Sequence, residues 1–160
     1  MLEQIRTEPL REIYRYWQTK CRDSVVPSRS DLDPPVELSA KILPYVAMIE
    51  VEEDPRRYRY CLVGTAINKQ YGEETTGRYV DEIDLGDMKS WVIGTYDELA
   101  STLQPSVISR EFRKQSGEFI WFERLALPLS SDGKTVDMIF GGAVVEPLTP
   151  LQALRGFGGV

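Results

Sequence analysis

The sequence predicts an α+β domain in which helices pack on an antiparallel sheet. Three observations predict it. Residues 105–146 read as three consecutive antiparallel strands, residues 45–63 read as a hairpin, and two apolar stripes at helical spacing flank that hairpin in the sequence. With 160 residues, the chain is long enough for one domain with a real core and too short for two ordinary ones.

The elements follow in order. Thr7-Glu8-Pro9 makes a helix entry, with Thr7 as N-cap and the proline tolerated in the first turn. Leu10, Ile13, Tyr14, Trp17 and Cys21 then form one apolar stripe, while Arg11, Glu12, Arg15 and Gln18 lie mainly on the other side. A stripe that includes a Trp and a Tyr must bury against something large. The outer face of the strand meander is the natural surface, in the same subunit or in a partner. Residues 22–35 form a connecting loop with Pro27, Pro34 and Pro35, anchored by Val25, Val26 and Leu32. Residues 38–43 predict a short helix, capped by Glu37 or Ser39 and ended by Pro44. Strands at 45–51 and 57–63 join through the acidic Glu52-Glu53-Asp54-Pro55 turn. Residues 65–71 form a short helix ending at Gly72; Thr76-Gly77-Arg78 turns the chain, and 80–83 is a brief helical or extended connection. Asp87 is expected to cap a longer helix whose Met88, Trp91, Val92, Thr95, Leu99 and Leu103 share a face, and Pro105 stops it.

Strands at 107–113, 119–129 and 136–146 complete the chain, with turns at Gln115-Ser116-Gly117-Glu118 and Ser130-Ser131-Asp132-Gly133. Phe119, Trp121, Leu125 and Leu127 alternate with Ile120, Phe122 and Ala126; Met138, Phe140 and Val144 alternate with Ile139, Ala143 and Val145. A sheet facing water would be polar on one side, so both faces need a cover. Arg124 interrupts this pattern, falling on the side of Ile120, Phe122 and Ala126. A sheet closing over a pocket would place its guanidinium inside, where a cation needs a partner. That partner is either an internal acid, Glu111 or Asp137, or a carboxylate- or phosphate-bearing ligand held by bidentate contacts. Arg78 either faces a cavity mouth or is solvated. Thr65, Tyr71 and Trp91 are either pocket walls or ordinary core.

Composition excludes several functions. The net charge of −6, from 19 basic and 25 acidic side chains, argues against a nucleic-acid surface, and Arg56-Arg57-Tyr58-Arg59-Tyr60 reads as a strand edge. No apolar run is long enough to span a bilayer, and the amino terminus lacks a signal-peptide core, so a cytoplasmic chain without membrane contact is expected. The chain has no histidine, which rules out Ser-His-Asp and Cys-His catalysis and imidazole ligation of zinc or haem within it. Asp31 and Asp33, and Asp81, Glu82 and Asp84, lie in polar contexts that suit capping or solvation better than acid–base work. Cys21 and Cys61 stand far apart among apolar neighbours and read as two buried thiols rather than a disulfide. Gly156-Phe157-Gly158-Gly159 reads as part of a tail, giving a division into residues 1–35, 36–148 and 149–160.

The arrangement resembles the PAS family. The matching residues are Tyr58-Arg59-Tyr60-Cys61-Leu62-Val63-Gly64-Thr65-Ala66, Tyr71-Gly72, Thr76-Gly77-Arg78, and the run from Trp121-Phe122-Glu123-Arg124 through Ser130-Ser131-Asp132-Gly133. Tyr14-Arg15-Tyr16-Trp17, Pro27-Ser28-Arg29-Ser30-Asp31-Leu32-Asp33-Pro34 and Leu43-Pro44 resemble a bacterial subfamily of short, stand-alone PAS-like proteins. The resemblance implies a five-stranded sheet in the order two-one-five-four-three. Helices on one face enclose a ligand-sized cavity, and an amino-terminal helix packs on the other face. PAS domains commonly sense small molecules, redox state or light. Flavin-binding light sensors of the family carry an Asn-Cys-Arg-Phe-Leu-Gln type helix, whereas residues 65–71 have no cysteine, and haem-binding members usually rely on a histidine. A chromophore is therefore disfavoured, and an organic ligand remains open. The expected function is a non-catalytic sensory or ligand-binding module that acts through protein contacts. Its site draws on Arg124, Phe122, Thr65, Tyr71, Trp91 and Arg78, and a homodimer forms through the helix bearing Leu10, Ile13, Tyr14 and Trp17. The alternative is a dimerisation or adaptor scaffold with a filled core; isomerase chemistry on a similar cavity is more remote.

Overall fold

Alternating side chains on strands β1 (Val46–Glu52), β2 (Arg57–Val63), β3 (Ser106–Arg113), β4 (Phe119–Leu129) and β5 (Met138–Pro147) set up a sheet that is apolar on both faces. The structure, a computed structural model, describes residues 1–23, 25–114 and 116–158, and shows these strands paired antiparallel in the order β2-β1-β5-β4-β3. Gln115 and Gly159, which the sequence places in a turn and a tail, lie outside the described residues.

One face carries α1 (Glu8–Lys20). Leu10 and Ile13 are fully buried there, together with Trp17, Leu127 and Phe140. Burying a Leu or Ile side chain contributes roughly 1.5–3 kcal/mol, far more than the intrinsic propensity of a helix this short. The stripe expected to carry self-association is thus packed against the chain's own sheet, and pairing through it would require α1 to leave that sheet. Gly142 on β5 permits the close approach, because a Cβ there would lie 2.3 Å from the Tyr45 carbonyl oxygen and 2.9 Å from Ile13 Cδ1.

Two hydrogen-bonded anchors orient α1. Trp17 Nε1 donates to the Pro128 carbonyl at 3.0 Å. At the other end, Glu123 of β4 is fully buried and accepts from the backbone N–H groups of Arg6 (2.5 Å) and Thr7 (2.8 Å), and from the Thr7 hydroxyl (2.6 Å). Thr7 is the N-cap residue, as expected, but its side chain reaches the sheet instead of its own first turn.

The loop after α1 departs from the sequence reading. The expected helix over 38–43 is absent; a single turn, α2 (Pro34–Glu37), forms earlier, and a 3₁₀ turn follows at Leu43–Tyr45. Pro34 and Pro35 occupy its first positions, where a missing N–H costs nothing.

The other face is covered by α3 (Thr65–Tyr71), 3₁₀ turns at Val80–Glu82 and Gly86–Met88, and α4 (Lys89–Thr102). Gly72, at φ +73°, ends α3 in the left-handed conformation that glycine adopts without strain. Asp87 lies in the 3₁₀ turn and Met88 occupies the N-cap position, so the capping role expected of Asp87 is not seen. The inward face of α4 is Val92, Tyr96 and Leu99 rather than a face through Thr95, in keeping with i, i+4, i+7 spacing. The last strand begins at Met138 instead of Val136, because Asp132 Oδ1 accepts from the backbone N–H groups of Lys134 (2.8 Å) and Thr135 (2.7 Å) and holds that stretch as a loop.

The residues read as a tail include α5 (Pro150–Gly158), with Ala153 buried and Leu151 and Leu154 exposed. Both cysteines are free. Cys21 is half-buried and Cys61 is exposed on β2, so the expected pair of buried thiols is not found. Among the described residues no helix is long and apolar enough to cross a membrane.

Candidate ligand-binding site

Between the sheet and the segment running from α3 to α4 lies a cavity of about 270 Å³. Leu85, Met88, Val92, Phe112, Ile120, Phe122, Ala143 and Val145 supply its apolar walls. Phe122 is packed edge-on against Phe112 at 5.5 Å between ring centroids, which fixes the aromatic side of the wall. Gln70, Tyr71, Asp84, Lys114, Ser116 and Arg124 supply the polar groups. Asp84 and Ser116 are exposed, whereas Arg124 and Tyr71 are not. Lys114 donates to Glu118 at 3.2 Å and to the Gln70 carbonyl at 3.4 Å.

Strand alternation delivers Arg124 to this cavity. Its cross-strand neighbours, Ile108 on β3 and Ala143 on β5, share its face. The guanidinium donates to the Tyr60 hydroxyl at 2.6 Å and lies 5.0 Å from the centre of the Tyr96 ring, a cation–π contact. The Tyr60 and Tyr71 hydroxyls are 3.5 Å apart. Beside these groups a second hollow of about 10 Å³ is bounded by Tyr60, Tyr71, Tyr96 and Arg124. It is no larger than one water requires.

The charges at this end of the cavity do not cancel. Burial, reinforced by the neighbouring phenols, pushes the Tyr71 hydroxyl well above its ordinary pKa, and burial does the same at Tyr96, so both stay neutral. Burial works against the Arg124 charge and the tyrosine oxygens around it favour that charge, and a guanidinium does not lose its proton in a protein, so Arg124 stays charged. Among the described residues no carboxylate lies within ion-pair distance of Arg124. Neither acid that the sequence offers as a partner reaches it. Glu111 pairs with Trp121 across β3 and β4 on the opposite face, and Asp137 accepts from the backbone N–H of Ser131 at 3.0 Å.

Of the side chains singled out from the sequence, Arg124, Phe122 and Tyr71 line the cavity together. Trp91 does not; it packs edge-on behind Phe122 at 6.1 Å, with the Arg110 guanidinium over its ring at 4.8 Å. Thr65 is exposed in the first turn of α3. Arg78 pairs with Glu73 at 2.5 Å and donates to the Glu82 carbonyl at 3.0 Å, away from the cavity. Tyr60 and Tyr96 belong to the site without a sequence signal that says so. Tyr60 shares strand alternation with Tyr58, and Tyr96 shares helical spacing with Val92 and Leu99, so each carried a signal for burial but none for convergence on Arg124.

A family model described as a PAS domain matches residues 5–144. The chain belongs to the PAS domain family. No curated protein matches it. Among solved structures, a light-oxygen-voltage domain from work on a flavin analogue superposes with a TM-score of 0.53 at 8% identity, over 79% of this chain and 93% of that one. The Rhodobacter sphaeroides LOV protein gives 0.49 at 9% identity, over 69% of this chain and 62% of that one. The PAS-B domain of Drosophila melanogaster Cycle, with bound ethylene glycol, gives 0.46 at 9% identity, over 65% of this chain and 99% of that one. This PAS domain spans less than two thirds of the length of the Rhodobacter protein. PAS domains are generally sensory modules. In this one α3 reads Thr65-Ala66-Ile67-Asn68-Lys69-Gln70-Tyr71, and among the described residues no cysteine borders the cavity.

Proposed function

We propose that this PAS domain is a non-catalytic sensory module that takes a small organic molecule into the cavity beside Arg124 and reports occupancy through contacts with another protein. The cavity carries this reading. An apolar cavity of about 150 Å³ admits benzene, and the volume here, about 270 Å³, is larger. Apolar walls with a few convergent polar groups are the usual make-up of a small-molecule pocket. The exposed Leu151 and Leu154 on α5 are apolar surface of the kind a protein partner covers.

Native mass spectrometry of the purified chain, with thermal-shift screening of a metabolite panel, tests the proposal. Ala143→Phe, which fills the cavity from β5, is the control. A molecule that co-purifies with or stabilises the natural chain, and is lost in Ala143→Phe, supports a ligand module. A natural chain that carries nothing and responds to nothing would favour a scaffold instead.

A further inference from the structure

We infer that the ligand is a small organic carboxylate, its anionic end on Arg124 and its apolar body among Met88, Val92, Phe112 and Phe122. This rests on the cavity being a ligand site, and it adds the ligand's chemistry.

The first ground is the unmatched charge. Arg124 is a permanent cation whose neighbours among the described residues are the phenol oxygens of Tyr60 and Tyr71 and the face of the Tyr96 ring, none of them charged. A cation at an apolar wall is costly unless an anion joins it, and among the described residues no carboxylate does. The second ground is geometric. A guanidinium presents five N–H donors in a planar fork that matches a carboxylate bidentately, and its contacts with the Tyr60 and Tyr71 phenols leave donors of that fork for another acceptor. Tyr71, which borders the cavity beside Arg124, is a protonated phenol able to donate to the same anion.

The third ground separates carboxylate from phosphate. Each charge taken out of water carries its own desolvation cost, so a phosphate dianion costs more to bury beside one cation than a carboxylate does. Here the inner end holds one guanidinium, while the Lys114 ammonium is engaged by Glu118. One negative charge on a compact apolar body fits that arrangement.

The test titrates the full chain with phenylacetate, cinnamate and hexanoate, each against its own primary amide, by calorimetry. The amide keeps shape and volume and removes the charge. Acids are expected to bind about ten- to a hundredfold more tightly than their amides, the difference that one charge-assisted contact makes. Arg124→Met should abolish this preference while melting no lower than the natural chain, because it replaces a lone cation with an apolar side chain of similar length. If Arg124→Met does not fold, Arg124→Gln reads the same loss of preference. Amides that bind as tightly as acids, or acid affinity unchanged in the folded Arg124 variant, would overturn the inference and leave the sensory reading standing. A neutral molecule recovered by native mass spectrometry would do the same. Failure of all six probes, with nothing recovered and no response to the panel, would remove both.

Discussion

Glu123 and Arg124 are neighbours on β4 and project through opposite faces of the sheet. Glu123 holds the first residues of α1 through Arg6 and Thr7, and Arg124 reaches the Tyr60 hydroxyl on the cavity side. One peptide unit therefore joins the anchor of the outer helix to the charged end of the cavity. A shift of β4 at that point is felt on both faces, since a strand in a packed sheet does not deform on one side only.

The outer anchor sets the first prediction. Glu123 is fully buried and accepts three hydrogen bonds, two of them from the backbone N–H groups of Arg6 and Thr7 just before α1. Glu123→Ala removes the acceptors and leaves those donors without partners. The expected loss is roughly 2–4 kcal/mol in urea unfolding, with faster amide exchange in the first turn of α1. Glu123→Gln keeps one acceptor oxygen and should cost less. Unchanged exchange in α1 would show that apolar packing alone holds the helix.

The cavity tyrosines set the behaviour at alkaline pH. Burial raises Tyr71 and Tyr96 above their ordinary value of 10.0. A raised folded pKa means stability that is fully present below the unfolded value and lost as pH rises toward the folded one. Stability should therefore fall from about pH 10 upward. A spectrophotometric titration should ionise fewer than the eight tyrosines before the chain unfolds cooperatively. All eight titrating together near the ordinary value, in a folded chain, would contradict this burial.

Glu37 sets the behaviour in acid. Its carboxylate accepts from Lys20 Nζ at 2.6 Å, from the Tyr16 hydroxyl, and from the Asp33 backbone N–H at 3.1 Å. The Lys20 bond first, then those from Tyr16 and Asp33, hold it down at about 2, against an ordinary value of 4.5. A depressed folded pKa contributes stability that is present above the ordinary value and lost as pH falls toward 2. The junction between α1 and α2 should loosen over that window, and Glu37→Gln should remove that part of the acid dependence of the melting temperature. An identical acid profile in Glu37→Gln would place the dependence elsewhere.

The contrast between Arg124 and Glu123 shows what was legible in the sequence. The face of Arg124 is legible because a strand has a period of two and its neighbours Phe122 and Ala126 are apolar. The same alternation puts Glu123 with Trp121, Leu125 and Leu127, but its partner Thr7 lies 116 residues away and nothing local announces it. The bounds of β2, α3 and β4 agree with the sequence reading for a related reason. Turn residues and Gly72 end these elements with local signals. The helix expected at 38–43 failed because two prolines just before it start a helical turn sooner.

The sequence by itself determined the class of fold, the strands of the meander, the two-sided apolar sheet and the inward face of Arg124. All of these follow from side-chain periodicity and turn chemistry over a few residues. Only the tertiary structure decided that α1 covers its own sheet, and that Tyr60 from β2, Tyr71 from α3 and Tyr96 from α4 gather around one guanidinium with no acid beside it among the described residues. The same holds for the space left in front of that guanidinium. Such features depend on how distant surfaces close over one another, and the volume they leave is a property of the packing rather than of any stretch of chain.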